Sequence, residues 1–237
     1  MEFSVQENWW QLVLIAVVCY MLGRINFAWI ISRLMHKDIT KMGSGNPGTM
    51  NVTRELGITA GVITFVGDAL KGGVPMLVCF FLYRNYRFVG TQVSVADFMR
   101  YFTAVFAVLG HIFPFSSHYK GGKGIASTLG LFWVGLSCES PWWILGGAGV
   151  AVIIITFIKV THWGSLGSLF GVSGCSIIQF VIFYNRYVNV TNFELNAYLV
   201  CLFVFILVLD VLTWGAHHKN VRRLFAGEEH KTSAKKK

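Results

Sequence analysis

Lys41-Met-Gly-Ser-Gly-Asn-Pro-Gly-Thr-Met-Asn-Val-Thr-Arg-Glu-Leu-Gly57 is a polar, glycine-rich island in a chain that is mostly apolar on either side of it. Gly43, Ser44, Gly45, Asn46, Gly48, Thr49, Asn51, Thr53 and Arg54 fall within one loop's length. Backbone N–H groups, hydroxyls, amides and a guanidinium can converge there on a single anion, which is what a phosphate requires. The same Gly, Asn and Pro content also suits an ordinary turn between two helices. Two further islands favour the phosphate reading: Lys120-Gly-Gly-Lys-Gly124 and His217-His-Lys-Asn-Val-Arg-Arg223.

What separates the islands decides the fold class. Of 237 residues, 54% are hydrophobic and 13% charged, and the mean hydropathy is +0.58. Soluble domains carry about 25% charged residues, so the chain reads as an all-α integral membrane protein. A formal charge of +9 would suit nucleic acid if it covered a soluble face. Here the basic residues sit in short gaps between apolar runs, which suits anionic lipids and phosphate substrates and excludes a nucleic-acid partner. Cys19, Cys79, Cys138, Cys175 and Cys201 lie in apolar stretches without C-x-x-C spacing, so they read as small buried hydrophobes with no metal site and no disulfide framework.

Met1 to Asn8 holds Glu2 and Glu7 but no Lys or Arg, unlike the start of a cleaved signal peptide. The apolar run at about 9–31 is therefore a first true span, long enough for a core of about 30 Å. Further spans are expected at about 58–83, 98–115, 142–159, 165–184 and 195–214, with a shorter apolar run at 125–137 before the Glu139-Ser-Pro141 turn, making seven transmembrane helices. The basic residues orient them. Fourteen Lys and Arg fall in the loops and tail on one side, from Arg33 to Lys237, against four on the other: Arg84, Arg87, Arg100 and Arg186. The N-terminus is thereby placed outside and the C-terminus in the cytoplasm, so that cytoplasmic loops form the active site. Residues 231–237 read as a basic, disordered tail.

Asp68 and Lys71 share one helical face and are expected to neutralise each other inside the bundle, a structural pairing before a catalytic one. Arg24 and Asp210 are a second candidate pair. Gly164, Gly167, Gly171 and Gly174 recur at packing intervals. The glycosylation triplets at 51–53 and 189–191 are short enough to arise by chance.

In order, Gly43-Ser-Gly-Asn-Pro-Gly-Thr-Met-Asn-Val-Thr-Arg54, Lys120-Gly-Gly-Lys-Gly-Ile-Ala126 and His217-x-x-Asn-Val-x-Arg-Leu-x-x-Gly-x-Glu-His230 resemble the PlsY family of bacterial glycerol-3-phosphate acyltransferases. Gly67-Asp-Ala-Leu-Lys-Gly72 and Leu109-Gly-His-Ile-Phe-Pro114 extend the likeness over nearly the whole chain, so that residues 1–237 read as one membrane-embedded acyltransferase domain. The resemblance implies a multi-pass inner-membrane enzyme that uses acyl phosphate as donor and glycerol 3-phosphate as acceptor. Its products are lysophosphatidic acid and phosphate, the first step of phospholipid synthesis. The chain departs from the family pattern at His218-Lys219, at Arg24 and Asn26, and at His162-Trp-Gly164.

The residues allow that chemistry. No histidine precedes an Asp at the spacing of the His-x-x-x-x-Asp acyltransferases, and there is no G-x-S-x-G elbow, H-E-x-x-H pair or Walker A loop. An acyl phosphate has a good leaving group, so the site chiefly holds two anions, orients a hydroxyl and stabilises an oxyanion, with no cofactor and no metal. The donor phosphate is expected against the Ser44 to Asn51 loop, with Gly45, Asn46, Thr49 and Asn51, and the Gly121 and Gly122 amides, and Gly43 and Lys120 are expected among the substrate contacts. The acceptor phosphate is expected against Arg54, Lys123 and His217, with Arg223 nearby. Asn220 and Ser165 would orient hydroxyls. The catalytic set is thus Ser44, Arg54, Lys123, His217 and Asn220, the proton passing to the donor's own phosphate or to His217. A membrane transporter of a phosphorylated metabolite is the alternative, but it calls for repeated halves with matching broken helices, and no internal repeat is present.

Overall fold

The computed structural model describes residues 1–115, 120–189 and 195–229. The expected tail at 231–237 and most of the 189–191 triplet lie outside the described residues. The chain is almost wholly helical: β1 (Glu2–Phe3), α1 (Val5–Gly23), α2 (Phe27–Leu34), a 3-10 turn (Ile39–Lys41), α3 (Thr49–Leu56), α4 (Ile58–Tyr83), β2 (Arg87–Phe88), α5 (Val95–Ile112), α6 (Ile125–Ser137), α7 (Trp143–Thr161), α8 (Gly164–Tyr184), a π turn (Asn185–Asn189), α9 (Ala197–Ala216) and α10 (His218–Phe225).

Among the described residues, six segments are long and apolar enough to cross a membrane, and α6 is a seventh, shorter apolar helix. Its 13 residues rise about 20 Å against a hydrocarbon core of about 30 Å, which leaves room inside the bundle for the loop that precedes it. The first span is broken. The α1 helix stops at Gly23, and Asn26 restarts the chain as the cap of α2, its Oδ1 accepting the Trp29 N–H at 2.8 Å.

Helix α5 is buried along most of its length, whereas α7 buries only Gly147. The α1 helix lies on α5 backbone to backbone, since a Cβ on Gly23 would meet the Ala107 carbonyl oxygen at 2.1 Å and one on Gly110 the Tyr20 carbonyl oxygen at 2.1 Å. The glycine pattern of α8 is used in part: Gly167 meets Phe157 and Ile158 and Gly171 meets Ile154, all from α7, while Gly174 faces open space.

Among the described residues the buried charges are paired. The Lys71 ammonium contacts Asp68 Oδ1 at 2.8 Å, His111 Nδ1 at 2.6 Å and the Ile25 carbonyl at 2.7 Å, occupying its three donors and tying α4 to α5 and to the break in the first span. The Arg24–Asp210 pair does not form. Arg24 donates to the Phe115 carbonyl, and Asp210 accepts from Ser173 Oγ at 3.2 Å. At the opposite end of the bundle Arg100 and Arg186, read from sequence as loop cations, share Asp97 and Glu139, with Tyr187 donating to Asp97 at 2.5 Å. Phe3 plugs that end among Tyr83, Tyr86 and Phe88, held by the parallel pairing of β1 with β2.

Candidate active site

Alternation of the helices brings the 41–57 island, the 120–124 loop, the α7–α8 turn and α10 to one end of the bundle. There they enclose a cavity of about 820 Å³. Its mouth is polar, and its depth, between α4, α6 and α7, is walled by side chains such as Val62, Phe65, Leu129 and Ile154.

Helix starts dominate the polar end. Helices α1, α2, α5 and α9 start elsewhere and have side-chain caps from Ser4, Asn26, Ser94 and Asn196, whereas α7, which also starts elsewhere, and α4 have none. Helices α3, α6, α8 and α10 start at the cavity, and none has a side-chain cap. Their first-turn N–H groups carry the positive ends of four helix dipoles to one place, an anion-binding arrangement before any cation is counted.

Of the residues singled out from sequence, Ser44, Asn46, Thr49, Asn51, Arg54, Lys123, Ser165, His217, Asn220 and Arg223 line this cavity. Four separate stretches therefore meet at one site. Lys123 Nζ donates to Asn220 Oδ1 at 2.5 Å, and Asn220 Nδ2 donates to Glu229 Oε1 at 2.7 Å. Glu229 also accepts from Ser165 Oγ at 2.8 Å and from Arg223 Nε at 3.1 Å. Sequence reading quoted Glu229 within the third motif without giving it a task. The structure makes it the acceptor that holds three other site residues.

Burial lowers the Lys123 ammonium to about 8, with Arg223 and Arg54 adding to the shift and Glu229 opposing it. Burial and the Lys123 charge push His217 down to about 4. Its Nδ1 lies 2.8 Å from the Thr213 carbonyl, so Nδ1 carries the proton and Nε2 is left as an acceptor. Burial raises the Glu229 carboxyl, but the hydrogen bonds it accepts from Asn220, Ser165 and Arg223 hold it below the usual range.

Five of the expected contacts do not line the cavity: Gly43, Gly45, Lys120, Gly121 and Gly122. The Gly122 N–H, expected on a phosphate, donates to the His111 carbonyl at 3.1 Å. Gly121 packs so closely that a Cβ would meet the Ile112 carbonyl oxygen at 1.9 Å. These glycines seat the loop on the end of α5, and the loop presents Lys123. Gly43 and Gly45 have φ of +54° and +68° and turn the backbone. Asn51 lines the cavity yet spends its amide on the loop: Oδ1 accepts the Ser44 N–H at 3.1 Å, and Nδ2 donates to the Met42 carbonyl at 2.9 Å. Composition could not separate a residue that grips a ligand from one that shapes the loop.

The departures from the family pattern fall in different places, and of these His162 and Gly164 line the cavity. His218 and Lys219 are exposed and do not line the cavity. Asn26 caps α2 and donates to the Pro47 carbonyl at 3.3 Å, tying the break to the glycine-rich island.

The family model described as glycerol-3-phosphate acyltransferase matches residues 13–227. A glycerol-3-phosphate acyltransferase of Clostridioides difficile (strain 630) is 34% identical over 225 residues, covering 94% of this chain and 97% of that protein. One of Thermoanaerobacter pseudethanolicus is also 34% identical, over 94% of this chain and 96% of its own length. The crystal structure of PlsY (YgiH) in its glycerol 3-phosphate form superposes with a TM-score of 0.70 at 28% identity, over 93% of this chain and 95% of that one. Its lysophosphatidic acid form superposes with a TM-score of 0.69. The match runs through every helix that frames the cavity, and the chain belongs to the glycerol-3-phosphate acyltransferase family.

Proposed function

We propose that this chain transfers a fatty acyl group from acyl phosphate to the 1-hydroxyl of glycerol 3-phosphate, releasing lysophosphatidic acid and inorganic phosphate, as the first step of phospholipid synthesis. One observation carries the reading: a single cavity joins four uncapped helix starts and the cations Arg54, Lys123 and Arg223 to a long apolar sleeve within the bundle. An anionic head with a hydrocarbon tail matches both halves. One solved relative, PlsY (YgiH), is described in a glycerol 3-phosphate form and a lysophosphatidic acid form, which supports the same acceptor and product here.

The donor phosphate sits at the start of α3 among Ser44, Asn46, Gly48 and Thr49, where the first N–H groups have no side-chain cap. The acceptor phosphate lies against Arg54 and Lys123. Asn220 and Ser165 orient the hydroxyls. The acceptor oxygen attacks the acyl carbonyl carbon, the bond from that carbon to the phosphate oxygen breaks, and the helix-start N–H groups stabilise the intervening oxyanion. His217, at about 4, is too weak a base to store the proton near neutral pH. It accepts a hydrogen bond through Nε2, and the proton leaves on the departing phosphate.

The enzyme works in the bacterial inner membrane, with the site facing the cytoplasm, where glycerol 3-phosphate is available, and the N-terminus outside. The purified protein in detergent is expected to release phosphate from acyl phosphate only when glycerol 3-phosphate is added, with a chelator present, and to form lysophosphatidic acid in equal amount. Release independent of the acceptor, or equal use of an acyl thioester, would overturn the reading.

A further inference from the structure

The apolar part of the cavity follows one face of α6. Ile125 and Leu129 line it, and Trp133 continues the same i, i+4, i+8 row beyond. From Ile125 to Trp133 the helix rises about 12 Å. A second, small apolar cavity of about 40 Å³ lies past Leu129 and shares Phe65, Leu129, Ala151 and Ile154 with the first. The sleeve therefore narrows at these four residues, and the small cavity beyond them is walled by Trp133 together with Leu136 and Cys175.

The Trp133 indole is held at both edges. Its Nε1 donates to the Ile144 carbonyl at 3.1 Å, across the corner between α6 and α7. Its pyrrole edge lies in the slot left by Gly147, where a Cβ would fall 2.3 Å from Trp133 Cδ1. Ala151, one turn along α7 from Gly147, lines both cavities and is the smallest side chain at the narrowing.

We infer that Trp133 is the end stop of the acyl pocket and Ala151 its throat, so that these two residues set the length of acyl chain the enzyme accepts. The inference rests on the acyl-transfer reading above. A chain that passes the narrowing into the small cavity and reaches the ring must bend aside, and a single methylene in a fitted apolar pocket discriminates by about tenfold or more. Removing the ring opens the end of the sleeve. Enlarging Ala151 closes it earlier.

Wild type, Trp133→Ala and Ala151→Leu, purified in detergent, are given equimolar dodecanoyl, hexadecanoyl and eicosanoyl phosphates with saturating glycerol 3-phosphate, and the lysophosphatidic acids are measured by mass spectrometry. Trp133→Ala is expected to raise the eicosanoyl-to-hexadecanoyl ratio by roughly fivefold or more, and Ala151→Leu to lower the hexadecanoyl-to-dodecanoyl ratio by a similar factor. Unchanged ratios in active variants overturn the stop and leave acyl transfer standing. If Trp133→Ala does not fold, the Ala151→Leu ratio alone decides. Wild type that makes no lysophosphatidic acid from any of the three donors removes the acyl-transfer reading and the stop together.

Discussion

Lys123 Nζ and Asn220 Oδ1 lie 2.5 Å apart although 97 residues separate them in the chain. The contact joins the loop before α6 to the first turn of α10, and through Glu229 it reaches Ser165 at the start of α8. Three helix starts are thereby held in one register around the place proposed for the acceptor phosphate.

Lys123 is expected to make acceptor binding sensitive to alkaline pH. Its folded value of about 8 lies below the ordinary 10.5, so the cation needed for the phosphate is lost as pH rises through that value. The KM for glycerol 3-phosphate is expected to rise above about pH 8, less steeply once bound phosphate favours the charged lysine. Lys123→Arg, which keeps its charge, should flatten the rise; an identical profile in both proteins would exclude Lys123 as its source.

Arg54→Ala and Lys123→Ala are expected to weaken acceptor use while leaving the fold intact. A charge-assisted contact to phosphate is worth about 1.5–3 kcal/mol, roughly 10- to 150-fold. Arg54→Lys should recover little, because a point charge cannot replace a bidentate fork. Kinetics with acceptor varied at fixed acyl phosphate measure this. Unchanged acceptor dependence and turnover in both alanine variants would leave the residues only a role in docking lipid head groups.

Lys71→Met alone strands the Asp68 carboxylate, which is buried beside it, and a stranded buried charge costs about 3–5 kcal/mol. Asp68→Asn with Lys71→Met removes both charges and should cost less, as read from the thermal midpoint in detergent. Equal midpoints combined with equal loss of turnover would instead assign the pair to catalysis.

Glu229→Gln keeps one carbonyl acceptor but brings an NH₂ donor into the group around Arg223. Glu229→Ala removes both acceptors that hold Ser165, Asn220 and Arg223. Turnover should fall further in the alanine variant than in the glutamine variant, with circular dichroism confirming retained helix. The opposite order would show that charge matters more than the hydrogen bonds.

Orientation has a direct test. A cysteine at Lys41 in a background lacking the native cysteines should react with an impermeant maleimide only after the membrane is opened, and one at Arg84 in intact cells. Labelling of both from outside would reverse or break the proposed topology.

Much of this protein was legible from the chain because membrane insertion reads local properties. Apolar run length marked the spans, the 125–137 run was already the short one, and the polar islands stood out because lipid tolerates few unsatisfied groups. Ser44, Arg54, Lys123, His217 and Asn220 stood out in residue type and order, helix alternation required their loops to share one end, and all five line the cavity there.

Tertiary structure alone decided which of those groups face the cavity. Gly122 donates its N–H to the His111 carbonyl and Asn51 spends its amide on Met42 and Ser44, and no local pattern distinguishes these uses from binding an anion. Arg24 meets Phe115 rather than Asp210, while Arg100 and Arg186, read as loop cations, share two buried carboxylates with partners up to 89 residues away. Sequence determined which groups the bundle must place and at which end. Their partners were decided by packing, because hydrogen bonds and ion pairs act over about 3 Å, and only the folded bundle sets which side chains come that close.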